Sequence, residues 1–212
     1  MILALDTSLA DLRIALFDES GAELAAFHHV TASDERGVHD RLLADETQKL
    51  FRSIGATPKD ISRIAYISGP GSFTGLRIGL SFIKGIAYSV ECPLIPIKAH
   101  QVMKREYEKT AGESNDVLFL YPGYEKNSYY VADSSDINSI RFIKSDTLEK
   151  QNYAGYFSLK EILPELIPLK LPLGILAEMA IECIGLLPYD AIAELEPFYG
   201  TDFKPTVGRV SK

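Results

Sequence analysis

The sequence predicts an α/β fold, and three observations predict it. Short apolar runs near the start are separated by turns of a few residues, the mark of an antiparallel meander. After residue 40 the apolar spacing changes from alternation to the three- and four-residue steps of a helix. Strand-like and helix-like segments then alternate, the order that joins parallel strands through helical crossovers.

Residues 1–5 form a continuous apolar run, as expected of a buried strand. Residues 12–17 read as a second strand, Glu19-Ser20-Gly21 as a turn, and residues 22–30 as a third strand. Leu43, Thr47, Leu50, Phe51 and Ile54 lie at helical spacing, and Gly55 offers a stop. Residues 64–68 return to strand. A glycine-rich turn leads into a helix over about residues 75–90, and Leu94-Ile95-Pro96-Ile97 is a further short strand. Three strands, helix, strand, helix, strand is the ribonuclease-H-like half from which actin-like ATPases are built, with a mixed five-stranded sheet.

A boundary near residue 100 divides an N-terminal domain (1–100) from a second, smaller and truncated α/β half (101–200). There residues 117–121, 128–132 and 140–143 look like strands. Ser158-Leu159-Lys160-Glu161 has capping-box spacing, and Pro164 and Pro168 keep that helix short. Residues 173–187 predict an apolar helix ended by Pro188, and residues 201–212 a polar, slightly basic tail. The sequence shows no internal repeat.

Composition narrows the function classes. The formal charge of −7 makes a poor stand-alone nucleic-acid binder, because phosphate contacts dominate that affinity. Cys92 and Cys183 match no zinc spacing and form no disulfide framework. No basic segment precedes the short apolar start, and no run approaches the roughly 20 apolar residues that span a membrane. A soluble, cytoplasmic location is expected.

The most informative segment is Gly69-Pro70-Gly71-Ser72-Phe73-Thr74-Gly75-Leu76-Arg77-Ile78-Gly79-Leu80. It is no Walker loop, since no Lys follows the glycines, and no dinucleotide fingerprint, since Thr74 stands at the third glycine. Two local readings remain. One is a tight strand-to-helix turn with Ser72 or Thr74 as N-cap; the other is an anion site at a helix N-terminus. Local physics favours the first, because any such turn exposes free amides.

As a whole string, Gly69 to Gly79 closely resembles the hallmark of the TsaB (YeaZ) family. The opening Ile2-Leu3-Ala4-Leu5-Asp6-Thr7-Ser8 looks like that family's first strand, and His39-Asp40-Arg41-Leu42-Leu43 is similar to its His-Ser-Glu-x-Leu segment. Pro122-Gly123-Tyr124-Glu125 departs from the family's Ile-Asp-Ala-Arg, and Phe198-Tyr199-Gly200 from its tyrosine-leucine-arginine. The resemblance implies an actin-like fold and a catalytic TsaD-like partner. The ATPase TsaE is a further implied partner, with tRNA engaged indirectly through the complex. It implies a role in placing a threonylcarbamoyl group on the adenosine beside the anticodon. ATP and metal are then expected on partner subunits, with no cofactor in the isolated chain.

The residues themselves offer little chemistry. The hairpin after the first strand, where actin-like ATPases hold phosphates, reads Asp6-Thr7-Ser8-Leu9-Ala10-Asp11 and has no glycine; Asp6, Thr7 and Ser8 look vestigial. Asp6 reads as a carboxylate capping the neighbouring turn. The catalytic relatives' His-x-x-x-His is missing, since Leu43 stands four residues after His39; His28, His29 and His100 also read as structural or surface residues. No catalytic residue or metal ligand is assigned. The competing readings are an active actin-like ATPase or kinase and a metal-dependent, glycoprotease-like peptidase.

A surface argument remains. The helix after the glycine turn is apolar nearly all round, and a helix of that kind is normally covered on every side. Gly79 and Gly85 inside it suggest close helix approach. His39, Leu42, Leu43, Gly75, Gly79, Phe82 and Ile86 are the expected partner surface, and the homodimer surface when the chain is alone.

Overall fold

The computed structural model describes residues 1–31, 37–113, 115–148, 152–156, 159, 163–183 and 189–200. The meander is β1 (Ile2–Asp6), β2 (Leu12–Phe17) and β3 (Glu23–His29). Helix α1 (Val38–Ser53), strand β4 (Arg63–Gly69), helix α2 (Phe73–Val90) and strand β5 (Leu94–Lys98) complete the first half. Its sheet runs β3-β2-β1-β4-β5, with β1 antiparallel to β2 and parallel to β4.

Helix α3 (Ala99–Thr110) leads into β6 (Val117–Pro122), β7 (Ser128–Asp133), β8 (Asp136–Lys144), β9 (Asn152–Tyr156) and β10 (Ile167–Leu169). These form a second five-stranded sheet in the order β10-β9-β6-β7-β8. Helix α4 (Leu173–Glu182) and a 3₁₀ turn at Tyr189–Ile192 follow. The topology repeats: β6 has an antiparallel neighbour in β7 and a parallel one in β9, as β1 has in β2 and β4.

Several expectations need correction here. Helix α3 starts where a boundary was expected and was not predicted. Among its buried residues, Val102 and Met103 are separated from Tyr107 by Lys104, Arg105 and Glu106, which dilute the apolar signal. β9 and β10 were not predicted either; they are five and three residues long. β8 begins at Asp136 rather than at residue 140. Helix α4 ends at Glu182, not at residue 187, because Cys183 is extended (ψ 104°); residues 184–188 lie outside the described residues. So do Ser158, Lys160 and Glu161 of the expected capping box, and the whole tail over 201–212.

Strand alternation sends side chains to two cores. Ile2 and Ala4 face an inner core shared with Phe119 and Tyr121 of the second sheet, and α3 and α4 supply Met103 and Leu176 to it. Leu3 and Leu5 face outward to Leu80 and Ile83 of α2 and to Leu43 and Phe51 of α1. Ile83 is fully buried, so truncating it to alanine costs roughly 2–5 kcal/mol. Helix α2 starts at Ser72, whose hydroxyl oxygen accepts the Gly75 N–H at 3.2 Å. It ends at Glu91, a left-handed residue with φ 53°.

Candidate functional site

The end of β1 carries Asp6 into the junction between the halves, where only 2% of it is exposed. One carboxylate oxygen accepts the Ser8 N–H at 2.8 Å and the Ser8 hydroxyl, an Asx-type cap of the hairpin. The other accepts from the Arg13 guanidinium, which also donates to the Leu171 carbonyl at 2.6 Å. The Ser8 and Tyr121 hydroxyls lie 2.7 Å apart. Burial acts most strongly on Arg13 and works against its charge, yet Asp6, Tyr156 and Tyr121 together outweigh it and raise the guanidinium above its ordinary value. Burial, reinforced by Asp6, pushes the Tyr121 phenol far above its usual range, so it stays protonated.

The glycine turn fills the other side of this hairpin. The Ser72 N–H donates to the Ser8 carbonyl at 2.6 Å. A Cβ on Gly71 would lie 2.1 Å from that carbonyl oxygen, one on Gly75 2.2 Å from the Thr7 carbonyl oxygen, and one on Gly79 2.2 Å from Thr7 Oγ1. Glycines at 71, 75 and 79 share one side of the turn and helix, and the hairpin lies in the channel they leave. Gly69, at φ 132°, is pressed by the backbone of Phe198, whose N–H donates to the Ser68 carbonyl at 2.7 Å. An ATPase needs hairpin amides free to meet phosphate; here the Ser8 amide is bonded to Asp6 and the hairpin carbonyls abut α2. These residues do not fit a nucleotide's phosphates.

The residues expected on a partner surface are divided by the fold. Gly75 and Gly79 face inward to Thr7, and Leu43 belongs to the outer core. His39 is 8% exposed, with its Nε2 3.2 Å from the Asp11 carbonyl. Their sequence spacing could not separate a helix packed on its own hairpin from one awaiting a partner. Leu42, Phe82 and Ile86 are half-buried and keep part of their surface open. Nothing lies within 4 Å of a Cβ built on Gly85.

Sequence reasoning missed Arg13, Tyr121 and the strap formed by residues 193–200. Arg13 did carry a signal, as a cation inside an otherwise apolar strand. Tyr121 carried none. The strap lies beside α2, where Lys84 donates to the carbonyls of Ala193 at 2.9 Å and Leu195 at 2.7 Å. A groove of about 480 Å³ between them is lined by Phe73, Arg77, Lys84, Leu195 and Tyr199. A cleft of about 310 Å³ opens between the halves, lined by Leu9, Ser72, Phe73, Tyr124 and Tyr199.

The family model described as TsaD, tRNA N6-adenosine threonylcarbamoyltransferase, matches residues 32–152, more than half of the chain. The tRNA threonylcarbamoyladenosine biosynthesis protein TsaB of Escherichia coli (strain K12) is 31% identical over 102 residues. The chain belongs to this family, as a TsaB-type member. The match covers 48% of this chain and 42% of the Escherichia coli protein, so it spans less than half of that relative. TsaB of Bacillus subtilis (strain 168) is 30% identical over the same length and covers the same shares. In fold the likeness to the TsaB family extends further. YeaZ from Pseudomonas aeruginosa superimposes with a TM-score of 0.70 at 17% identity, covering 93% of this chain and 99% of that one. Among the described residues, no helix is long and apolar enough to cross a membrane.

Proposed function

We propose that this TsaB-family chain is a non-catalytic subunit in the formation of threonylcarbamoyladenosine on tRNA. It supports a TsaD-like catalytic partner, which would carry the ATP and metal in the cytosol. The observation that carries this reading is the filled hairpin: Thr7 and Ser8 pack against Gly71, Gly75 and Gly79, in the place a nucleotide's phosphates would need. What the chain then offers is surface. Leu42, Ile78, Phe82 and Ile86 stand half-buried on the outer α1–α2 layer, apolar side chains suited to a helix pair of related shape. The same patch would pair with its own copy by two-fold symmetry when the partner is absent. A TsaE-like ATPase and tRNA would meet the chain only through the assembled complex.

The test is depletion and complementation, read by mass spectrometry of tRNA nucleosides. Depletion lowers threonylcarbamoyladenosine, and the wild-type chain restores it. Phe82→Glu with Ile86→Glu stays folded, fails to restore it and no longer co-purifies with a TsaD-like subunit. Normal modification after thorough depletion would overturn the function; full rescue by the double variant would overturn the surface. Calorimetry with ATP and magnesium tests the non-catalytic part, which stoichiometric micromolar binding would sink.

A further inference from the structure

We infer that Arg13 is a built-in counter-ion that, through Asp6 and the second half's backbone, locks the two halves at one angle, so that the chain works as a rigid body. The inference does not depend on the identity of any partner.

The Arg13 guanidinium stands between the halves. On one side it pairs with Asp6 of β1; on the other it donates to the Leu171 carbonyl, which follows the last strand of the second sheet. It is the kind of group that can do this, because a planar fork of donors satisfies a carboxylate and a carbonyl together. The Ser8 hydroxyl extends the network to Tyr121 of β6 at 2.7 Å. Opening the halves would therefore separate the carboxylate, the guanidinium, the carbonyl and two hydroxyls at once. Only at this angle do Asp6, Ser8, Leu171 and Tyr121 all meet their partners, so any other angle exchanges bonds of set geometry for water.

Two further contacts close the same seam. Lys98, at the end of β5, donates to the Asn138 carbonyl on β8 at 3.1 Å, and the Phe198 backbone ties the strap to Ser68. A Cβ on Gly200 would lie 2.4 Å from the Tyr130 ring, so the strap also presses on the second sheet. Around these ties runs the inner core, continuous from Ile2 and Ala4 to Phe119 and Tyr156. A cation drawn from the chain itself thus occupies the carboxylate at the end of β1.

The experiment measures the angle directly. Spin labels at Gln48→Cys and Arg141→Cys, both exposed and on opposite halves, are introduced in a Cys92→Ala, Cys183→Ser background. The expected result is one narrow distance distribution, unchanged by ATP and magnesium. Asp6→Asn with Arg13→Gln, a neutral pair, keeps the circular dichroism spectrum and broadens the distribution. Arg13→Met alone lowers the thermal midpoint by roughly 10 °C, since it leaves Asp6 buried and uncompensated. If that variant does not fold, the neutral pair still decides. A broad or nucleotide-dependent distribution in the parent chain overturns the lock. A neutral pair as narrow as the parent overturns the role of Arg13, leaving the apolar core to hold the angle.

Discussion

The two halves carry the same sheet and dress it differently. In each, the central strand pairs with an antiparallel strand that is itself antiparallel to the edge strand beyond it, and on its other side with the first of two parallel strands. In the first half the connections around the parallel strands are long helices, α1 and α2, which cover the outer face. In the second, β8 passes towards β9 through a 3₁₀ turn at Ser145–Thr147, and its outer core is a smaller cluster around Leu118, Leu120 and Tyr129. Their hairpins differ in the same sense. The β1–β2 hairpin is clamped under α2, whereas the β6–β7 hairpin has no such cover among the described residues, and Tyr124 at its tip is 67% exposed. What sets the first half apart is the helical layer, which both fills the hairpin and offers an outer surface.

The comparison breaks first at Gly71. Gly71→Ala drives a Cβ into the Ser8 carbonyl and should cost about 3 kcal/mol or more, read by urea unfolding. A cost under 1 kcal/mol would mean that the clamp is loose and the two hairpins are alike.

Acid tests the junction next. His100 on α3 is fully buried and donates its Nε2–H to the Tyr130 carbonyl at 2.9 Å; burial pushes its pKa down from 6.5 to about 4. The folded state therefore favours the neutral ring. The stability this provides is complete above pH 6.5 and is lost as pH falls towards 4, by up to about 3 kcal/mol at 1.36 kcal/mol per unit. His100→Gln, which keeps an N–H for that carbonyl, should flatten the profile over this window. An unchanged slope would assign the acid sensitivity elsewhere.

Gly79 and Gly85 sharpen the contrast within one helix. Gly79→Ala meets Thr7 Oγ1, a side-chain atom able to turn aside, and should cost about 1–2 kcal/mol. Gly85→Ala meets nothing within 4 Å and should gain about 0.5–1 kcal/mol from helix propensity. Equal signs in thermal melts would remove the hairpin channel as the reason for glycine at 79. Smallest of all should be Tyr124→Ala in the second hairpin, which gives up a stacked contact with Phe142 worth about 1 kcal/mol at most. A larger loss would show that this hairpin is also part of the core.

Much of the first half was legible because its signals are local. The meander is written in apolar runs of strand length, α1 in its four-residue steps, and the start of α2 in a glycine turn followed by an N-cap serine. The glycine segment also pointed to the family. The second half was less legible for a physical reason. β10 is three residues long and contains Pro168, while α3 sets Val102, Met103 and Tyr107 among charges. Neither leaves a periodic stretch long enough to stand out from a loop.

By itself the sequence determined the α/β order of the first half, the absence of glycine in the β1–β2 hairpin and the four-residue spacing of Gly71, Gly75 and Gly79. Only the tertiary structure decided that these two facts are one. Gly71, Gly75 and Gly79 could serve a partner helix, a ligand or the chain's own backbone, and spacing is the same in all three cases. The choice is made by contacts to Thr7 and Ser8, and by Arg13 reaching Asp6 and Leu171. Such contacts join residues far apart in the chain. Their energies depend on distance and burial in the folded state, and local periodicity carries neither.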